Sequence, residues 1–184
     1  MQKRIAIFVA VVLTLSVLSL SSLAQQPKSQ RPSPPAHAEC KLASGKTITV
    51  DYSSPRMRGR QIFGGDSPLV PPGKVWRVGA NEATTFVTDA NLVVGGKEVP
   101  AGSYTMFAIP NADKWTLIIS KKTGEWGIPY PGEDSDLMRT DMKVSKLSAP
   151  LENFTISFTQ SGGACAMHLD WETTRASVEI AEKK

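Results

Sequence analysis

Three arginines at alternate positions, Arg56, Arg58 and Arg60, open the stretch of this chain best equipped for chemistry. If that segment is extended, its period of two puts all three guanidiniums on one face. Arginine forks pair with planar acids and phosphates through two hydrogen bonds, so such a face is an anion clamp. The alternative is a solvated loop whose arginines find internal partners such as Asp51, Asp66 or Glu82. Further on, Gly79-Ala80-Asn81-Glu82-Ala83 sets two polar side chains among very small residues, where a backbone or a ligand can approach closely. A buried carboxylate without a partner is costly. Glu82 is therefore expected in a structural pair with Arg77 or Arg60, or against a ligand. The residues predicted to contact a ligand are Arg58, Arg60, Arg77, Asn81 and Glu82.

Aromatic side chains extend that set. Trp76, Trp115 and Trp171 fall in strand-like segments and read as core. Trp126 and Tyr130 lie in a loop bounded by Gly and Pro, Glu125 to Gly132, and form a candidate aromatic wall or a cover for an open sheet end. Catalytic patterns are thin. Asp51 and Glu82 as paired acids would suit a hydrolase, but sequence carries no distance between them. A Ser-His-acid arrangement would need His37, beside a polar leader, or His168, within an alternating strand. No phosphate loop, dinucleotide fingerprint or zinc spacing occurs, so no cofactor and no metal are expected.

The elements that must position these residues follow from the whole chain. Residues 1–24 read as a secretory signal peptide: Lys3 and Arg4, an apolar run from Ile5 to Leu20, then Ser22-Leu23-Ala24 as cleavage site, the alternative being an uncleaved membrane anchor, for which the run is short. Residues 25–35 (QQPKSQRPSPP) are polar, Pro-rich and without apolar periodicity, which predicts a disordered leader. Residues 36–184 are left, enough for one domain with a proper core. No second apolar run has spanning length, so no membrane span is expected after cleavage, and a periplasmic or secreted location follows. The formal net charge of the full chain is +4. Without the signal segment, 19 basic side chains face 17 acidic ones, a surplus too small to make nucleic acid the partner. Cys40 and Cys165 are an even pair, which outside the cytoplasm predicts a disulfide; two buried thiols or a reactive pair are the alternatives.

Almost every readable segment alternates with period two and is rich in Val, Ile, Thr, Phe and Trp. Strands are predicted near His37–Leu42, Thr47–Tyr52, Val75–Val78 and Thr84–Thr88. A hairpin through Gly95-Gly96 follows, then Ser103–Ile109 and Trp115–Ser120. Ser135–Lys146 reads as an edge strand over Arg139–Val144, or as a short helix capped by Ser135. Phe154–Thr159, Ala166–Trp171 and Ser177–Ile180 complete about ten short strands, the pattern of a single-domain antiparallel β-sandwich.

Taken together, DYSSPRMRGRQIFGG, GKVWRVGANEATTF, GGKEVPAGSYTMFAIP, WTLIISK and LDWETTRASVEI resemble the bacterial family termed domain of unknown function 2911. The likeness runs from about Ile48 to Ile180 and implies an exported single-domain β protein, with no activity attached. Asp66-Ser67-Pro68 and the cysteine pair look like departures from the family pattern. The sequence favours a non-catalytic module that binds a small anionic ligand, a glycan or an envelope protein. A hydrolase built on Asp51 and Glu82, and a purely structural envelope protein, are the competing readings.

Overall fold

The computed structural model describes residues 27–64 and 68–184. The predicted signal segment lies outside them, as do Asp66 and Ser67 of the predicted insertion. Nine antiparallel strands form the fold: β1 (Pro35–Lys41), β2 (Thr47–Ser53), β3 (Thr84–Thr88), β4 (Leu92–Val94), β5 (Lys97–Val99), β6 (Gly102–Ile109), β7 (Lys114–Ser120), β8 (Asp136–Ser161) and β9 (Ala164–Glu182). Two short 3-10 turns, Lys28–Gln30 and Glu133–Ser135, are the only helical pieces among the described residues.

The protein is all-β. Its strands form one open ladder in the order β1-β2-β3-β6-β7-β8-β9-β4-β5. The tight Gly95-Gly96 turn, with φ of 53° and 82°, closes the small β4–β5 hairpin as glycine permits. That hairpin crosses to pair with the end of β9, which leaves β3 free to pair with β6. Predicted elements differ in more than number: Arg139–Val144 and Phe154–Thr159 are parts of the one strand β8, and Ala166–Trp171 and Ser177–Ile180 of the one strand β9. Val75–Val78 is not a strand, because Trp76 alone bridges Ala108 before the chain turns. Arg139–Val144 is no edge, since β8 runs between β7 and β9.

β8 and β9 are long because each bends rather than stops. Their pairing shifts register between Lys146 and Leu151 and again between Leu151 and Thr155. Opposite this bend Glu172 takes φ 54°, a left-handed conformation that folds β9 sharply. The upper half of the β8–β9 hairpin thereby lies over β1 and β2. Ser54 donates to the Phe154 carbonyl at 2.7 Å, and the Ile156 N–H donates to the Tyr52 hydroxyl at 3.0 Å. The Cys40–Cys165 disulfide ties the same two regions across 125 residues of chain.

Alternation explains the core. Ile48, Val50 and Tyr52 of β2 are buried while Asp51 faces out. They meet Phe86, Leu92, Met106, Leu117, Met142 and Trp171 in one large apolar cluster. On the other face of β6 and β7, Phe107 and Ile118 pack with Ala83, and Tyr130 covers them. Tyr130 lies edge-on to Phe107 with centroids 5.1 Å apart, so the Trp126–Tyr130 loop closes that face of the sheet.

Candidate functional site

The predicted extended arginine face does not form. After Arg56 bridges Asn153, the chain turns back through Met57, and the Arg60 N–H donates to the Met57 carbonyl at 3.0 Å. Arg58, at φ 50°, occupies the left-handed position of this turn, and its N–H donates to Glu152 Oε1. A turn cannot keep alternate side chains on one face. Arg60 instead folds onto its own turn, donating from Nε to the Met57 carbonyl (3.0 Å) and from Nη2 to that of Arg56 (2.7 Å).

The segment from Trp76 to Ala83 is shaped by close approach. Gly79 (φ 152°) lies so near β2 that a Cβ there would stand 2.9 Å from the Ser53 carbonyl oxygen. Its neighbour Val78 is fully buried at φ 54°, and Asn81 is at φ 57°. The Thr84 hydroxyl holds the Val78 carbonyl at 2.6 Å, and the Trp76 indole N–H donates to the Gly79 carbonyl at 3.1 Å. A β-branched residue in the left-handed region is strained by about 1–3 kcal/mol and persists only where its surroundings over-determine it.

Arg77 projects from this segment onto the Glu125–Gly132 loop. Its Nη1 donates to the Trp126 carbonyl at 3.0 Å, and its guanidinium carbon stands 5.6 Å from the centre of the Trp126 ring, a cation–π distance. Gly127 permits the contact, because a Cβ there would come within 2.9 Å of Arg77 Cβ and Ala83 Cβ. Burial draws the Arg77 guanidinium below its usual value, and the nearby charge of Glu82 partly offsets this.

Between these segments opens a cleft of about 330 Å³. Arg60 and Arg77 line it, together with Trp76, Trp171, Leu69 and Ile128. Two independent features converge on it. Among the described residues, the non-glycine residues with positive φ are Arg58, Val78, Asn81 and Glu172, each within two positions along the chain of one that lines the cleft. The large apolar side chains left exposed among the described residues are Leu69, Trp126 and Ile128, at 44%, 50% and 68%. Two of these line the cleft, and the third lies under Arg77.

Charge is distributed unevenly among the arginines. Arg31, Arg139 and Arg175 each pair with a carboxylate, those of Glu82, Asp136 and Asp170. Among the described residues no carboxylate lies within ion-pair distance of Arg56, Arg58, Arg60 or Arg77, whose side-chain partners are carbonyls or the Ser54 hydroxyl. Among the described residues, the guanidiniums that line the cleft are thus held by carbonyls, with Glu82 the nearby negative charge felt by Arg77.

The remaining predicted site residues go elsewhere. Arg58 Nη2, Asn81 Nδ2 and the Glu82 carboxylate clasp Pro32, Ser33 and Arg31 of the N-terminal segment. Glu82 takes neither Arg77 nor Arg60 as its ion-pair partner. Arg31 Nη1 reaches both its oxygens at 2.9 and 2.8 Å, with Lys28 at 3.6 Å, and the Arg31 hydrogen bond holds Glu82 below the usual carboxylate range. Asp51 and Glu82 do line a common cleft of about 300 Å³, where Asp51 accepts from His37 Nδ1 at 2.8 Å. Tyr130 donates to Asp136 and accepts from Arg139, and burial first, then Asp136, pushes its hydroxyl up to about 12. That network holds it away from the cleft.

Sequence reasoning missed Leu69, Ile128 and Trp171, whose apolar character signalled only core. It also missed Arg31, set in a segment whose composition argues against any fixed contact. No three His, Cys, Asp or Glu side chains among the described residues are grouped to hold a metal ion. No helix among them is long and apolar enough to cross a membrane.

The family model described as "Protein of unknown function (DUF2911)" matches residues 33–180, and the chain belongs to that family. No curated protein and no solved structure matches it.

Proposed function

We propose that this chain is a non-catalytic binding module that works outside the cytoplasm after loss of residues 1–24, and that Arg60 and Arg77 hold an anionic group of its ligand. One observation carries the reading: two carbonyl-held guanidiniums and the exposed Leu69 and Ile128 line one cleft, flanked along the chain by left-handed Val78 and Glu172. Strain of this kind concentrates at ligand sites. Guanidiniums fixed by carbonyls rather than carboxylates keep their full charge for an incoming anion. The disulfide supports an oxidising compartment.

The competing readings fare less well. A hydrolase using Glu82 as its acid needs a carboxyl that stays protonated near neutrality, whereas Arg31 lowers this one. A purely structural role needs the arginine cluster consumed by internal ion pairs, and among the described residues Arg60 and Arg77 are held by carbonyls instead. A glycan or an envelope protein would meet the same cleft.

Thermal denaturation with acetate, citrate and inorganic phosphate tests the reading. An anion at a hundredfold excess over its Kd adds about 2.7 kcal/mol, several degrees of Tm. Arg60→Gln with Arg77→Gln should abolish the shift while the variant remains folded. An equal shift in that variant would place the anion elsewhere and sink the reading.

A further inference from the structure

The cleft is asymmetric in its chemistry. Arg60 and Arg77 supply charge, while Leu69 and Ile128 stand exposed beside the partly buried indole of Trp76, which stacks on the buried Trp171. A simple inorganic anion uses only the arginines and leaves these apolar side chains in water. A neutral apolar molecule covers the side chains and strands two guanidiniums against a low-dielectric surface. Only a molecule with both parts satisfies the whole lining.

The arginines also define the head group. Arg60 commits Nε and one N–H of Nη2 to carbonyls, two of its five donors, so the two terminal nitrogens still present a fork. Arg77 commits one N–H of Nη1 and keeps its Nε–Nη2 edge. Each remaining edge matches the two oxygens of a carboxylate. The surface favours a free molecule over a bilayer, because the apolar groups line a concavity of about 330 Å³ rather than a projecting face.

Resting on the anion-binding reading above, we propose that the ligand is a free amphiphilic carboxylate: one carboxylate head between Arg60 and Arg77, and an unbranched or aromatic apolar body against Leu69, Ile128 and the Trp76 indole. Burial of each methylene tightens binding by roughly fourfold. Affinity therefore grows with the length of the body until the cleft is filled.

Isothermal titration with octanoate, acetate and octanol tests this, on the chain beginning at Gln25 and on two variants. Octanoate is expected to bind at least about tenfold more tightly than acetate or octanol. Arg60→Gln with Arg77→Gln should reduce octanoate to the level of octanol. Leu69→Ser with Ile128→Ser, both exposed and so harmless to the core, should reduce it to the level of acetate and leave acetate unchanged. Acetate binding as tightly as octanoate, and lost only in the arginine variant, would overturn the amphiphile and keep the anion site. Octanoate and octanol binding alike, with the arginine variant unaffected, would overturn both. Sedimentation with anionic phospholipid vesicles in the absence of octanoate binding would overturn the free ligand in favour of a membrane surface.

Discussion

His168 and Ser177 stand nine residues apart on a single strand, yet His168 Nδ1 and Ser177 Oγ are 2.9 Å apart. A straight strand would separate them by roughly 30 Å. The fold of β9 at Glu172 brings them face to face, and the same elbow lets Arg175 grip Asp170 at 2.8 and 2.6 Å. Thr159 of β8 completes the arrangement, 2.9 Å from His168 Nε2. Both ring nitrogens are thus engaged by hydroxyls in a nearly buried site.

This site makes stability depend on pH. Burial, and then the charge of Arg175, hold His168 below its ordinary value, against the weaker opposing charges of Asp170 and Glu179. The unfolded chain therefore binds the proton more readily than the folded one. The contribution is complete above the unfolded value of about 6.5 and declines as pH falls below it. Melting temperatures from pH 8 to pH 5 should decline over that interval, and His168→Gln should flatten this part of the profile. A wild-type profile no steeper than that of the variant would refute the assignment.

The elbow itself can be tested at Glu172. Its φ of 54° suits Asn and opposes β-branched residues. Glu172→Val should destabilise by about 1–2 kcal/mol, whereas Glu172→Asn should be neutral or slightly stabilising. Chemical denaturation reads both, and equal effects would mean that the bend is imposed from elsewhere.

Reduction of Cys40–Cys165 releases a loop with a sequence separation of 125. On the chain-entropy model this costs about 4–5 kcal/mol. Cys40→Ala with Cys165→Ala should lower Tm by about 10 °C or more. A fall of only a degree or two would show that the contacts of Tyr52 and Ser54 with β8 already restrain the hairpin.

Arg31→Ala removes the two-pronged partner of Glu82. The Glu82 side chain is 40% exposed, so the loss should be about 1 kcal/mol or less. A carboxylate lowered on folding stabilises above the unfolded value of about 4.3, and that stabilisation fades as pH falls. The difference between wild type and variant should therefore be present at pH 7 and shrink towards pH 3. A difference independent of pH would assign the effect to packing.

Gly127→Ala probes the cleft without touching its charges. At φ 84°, with Arg77 Cβ and Ala83 Cβ at 2.9 Å, an added methyl must push the Trp126 loop outward. Weaker anion binding with little change in the core is expected, read by titration beside thermal denaturation. Unchanged affinity would show that the loop takes no part in holding Arg77.

The strands were readable because each obeys a local rule: Thr47 to Tyr52 alternates, and Gly95-Gly96 can turn where other residues strain. The long bends were not, since Glu172 gives no local sign that it will adopt a left-handed conformation. Arg60, Arg77 and Trp126 were legible as types suited to a site. Arg58, Asn81 and Glu82 belonged to the same pattern but clasp residues 31–33, a contact that depends on where the N-terminal segment returns in space. Leu69 and Ile128 escaped notice because an exposed apolar residue and a buried one look alike in sequence.

An open ladder has two margins, and each offers unpaired backbone groups to a foreign strand. The β5 margin is three residues long and carries Lys97 and Glu98, the latter bound to Lys183 at 2.7 Å. The β1 margin begins at Pro35, which has no N–H to offer, and is tied to the β9 layer by Cys40. One margin is thus guarded by brevity and charge, the other by a covalent bond. Loss of that bond would loosen the longer margin, so reduction of a single cystine is expected to make that edge more open to strand pairing.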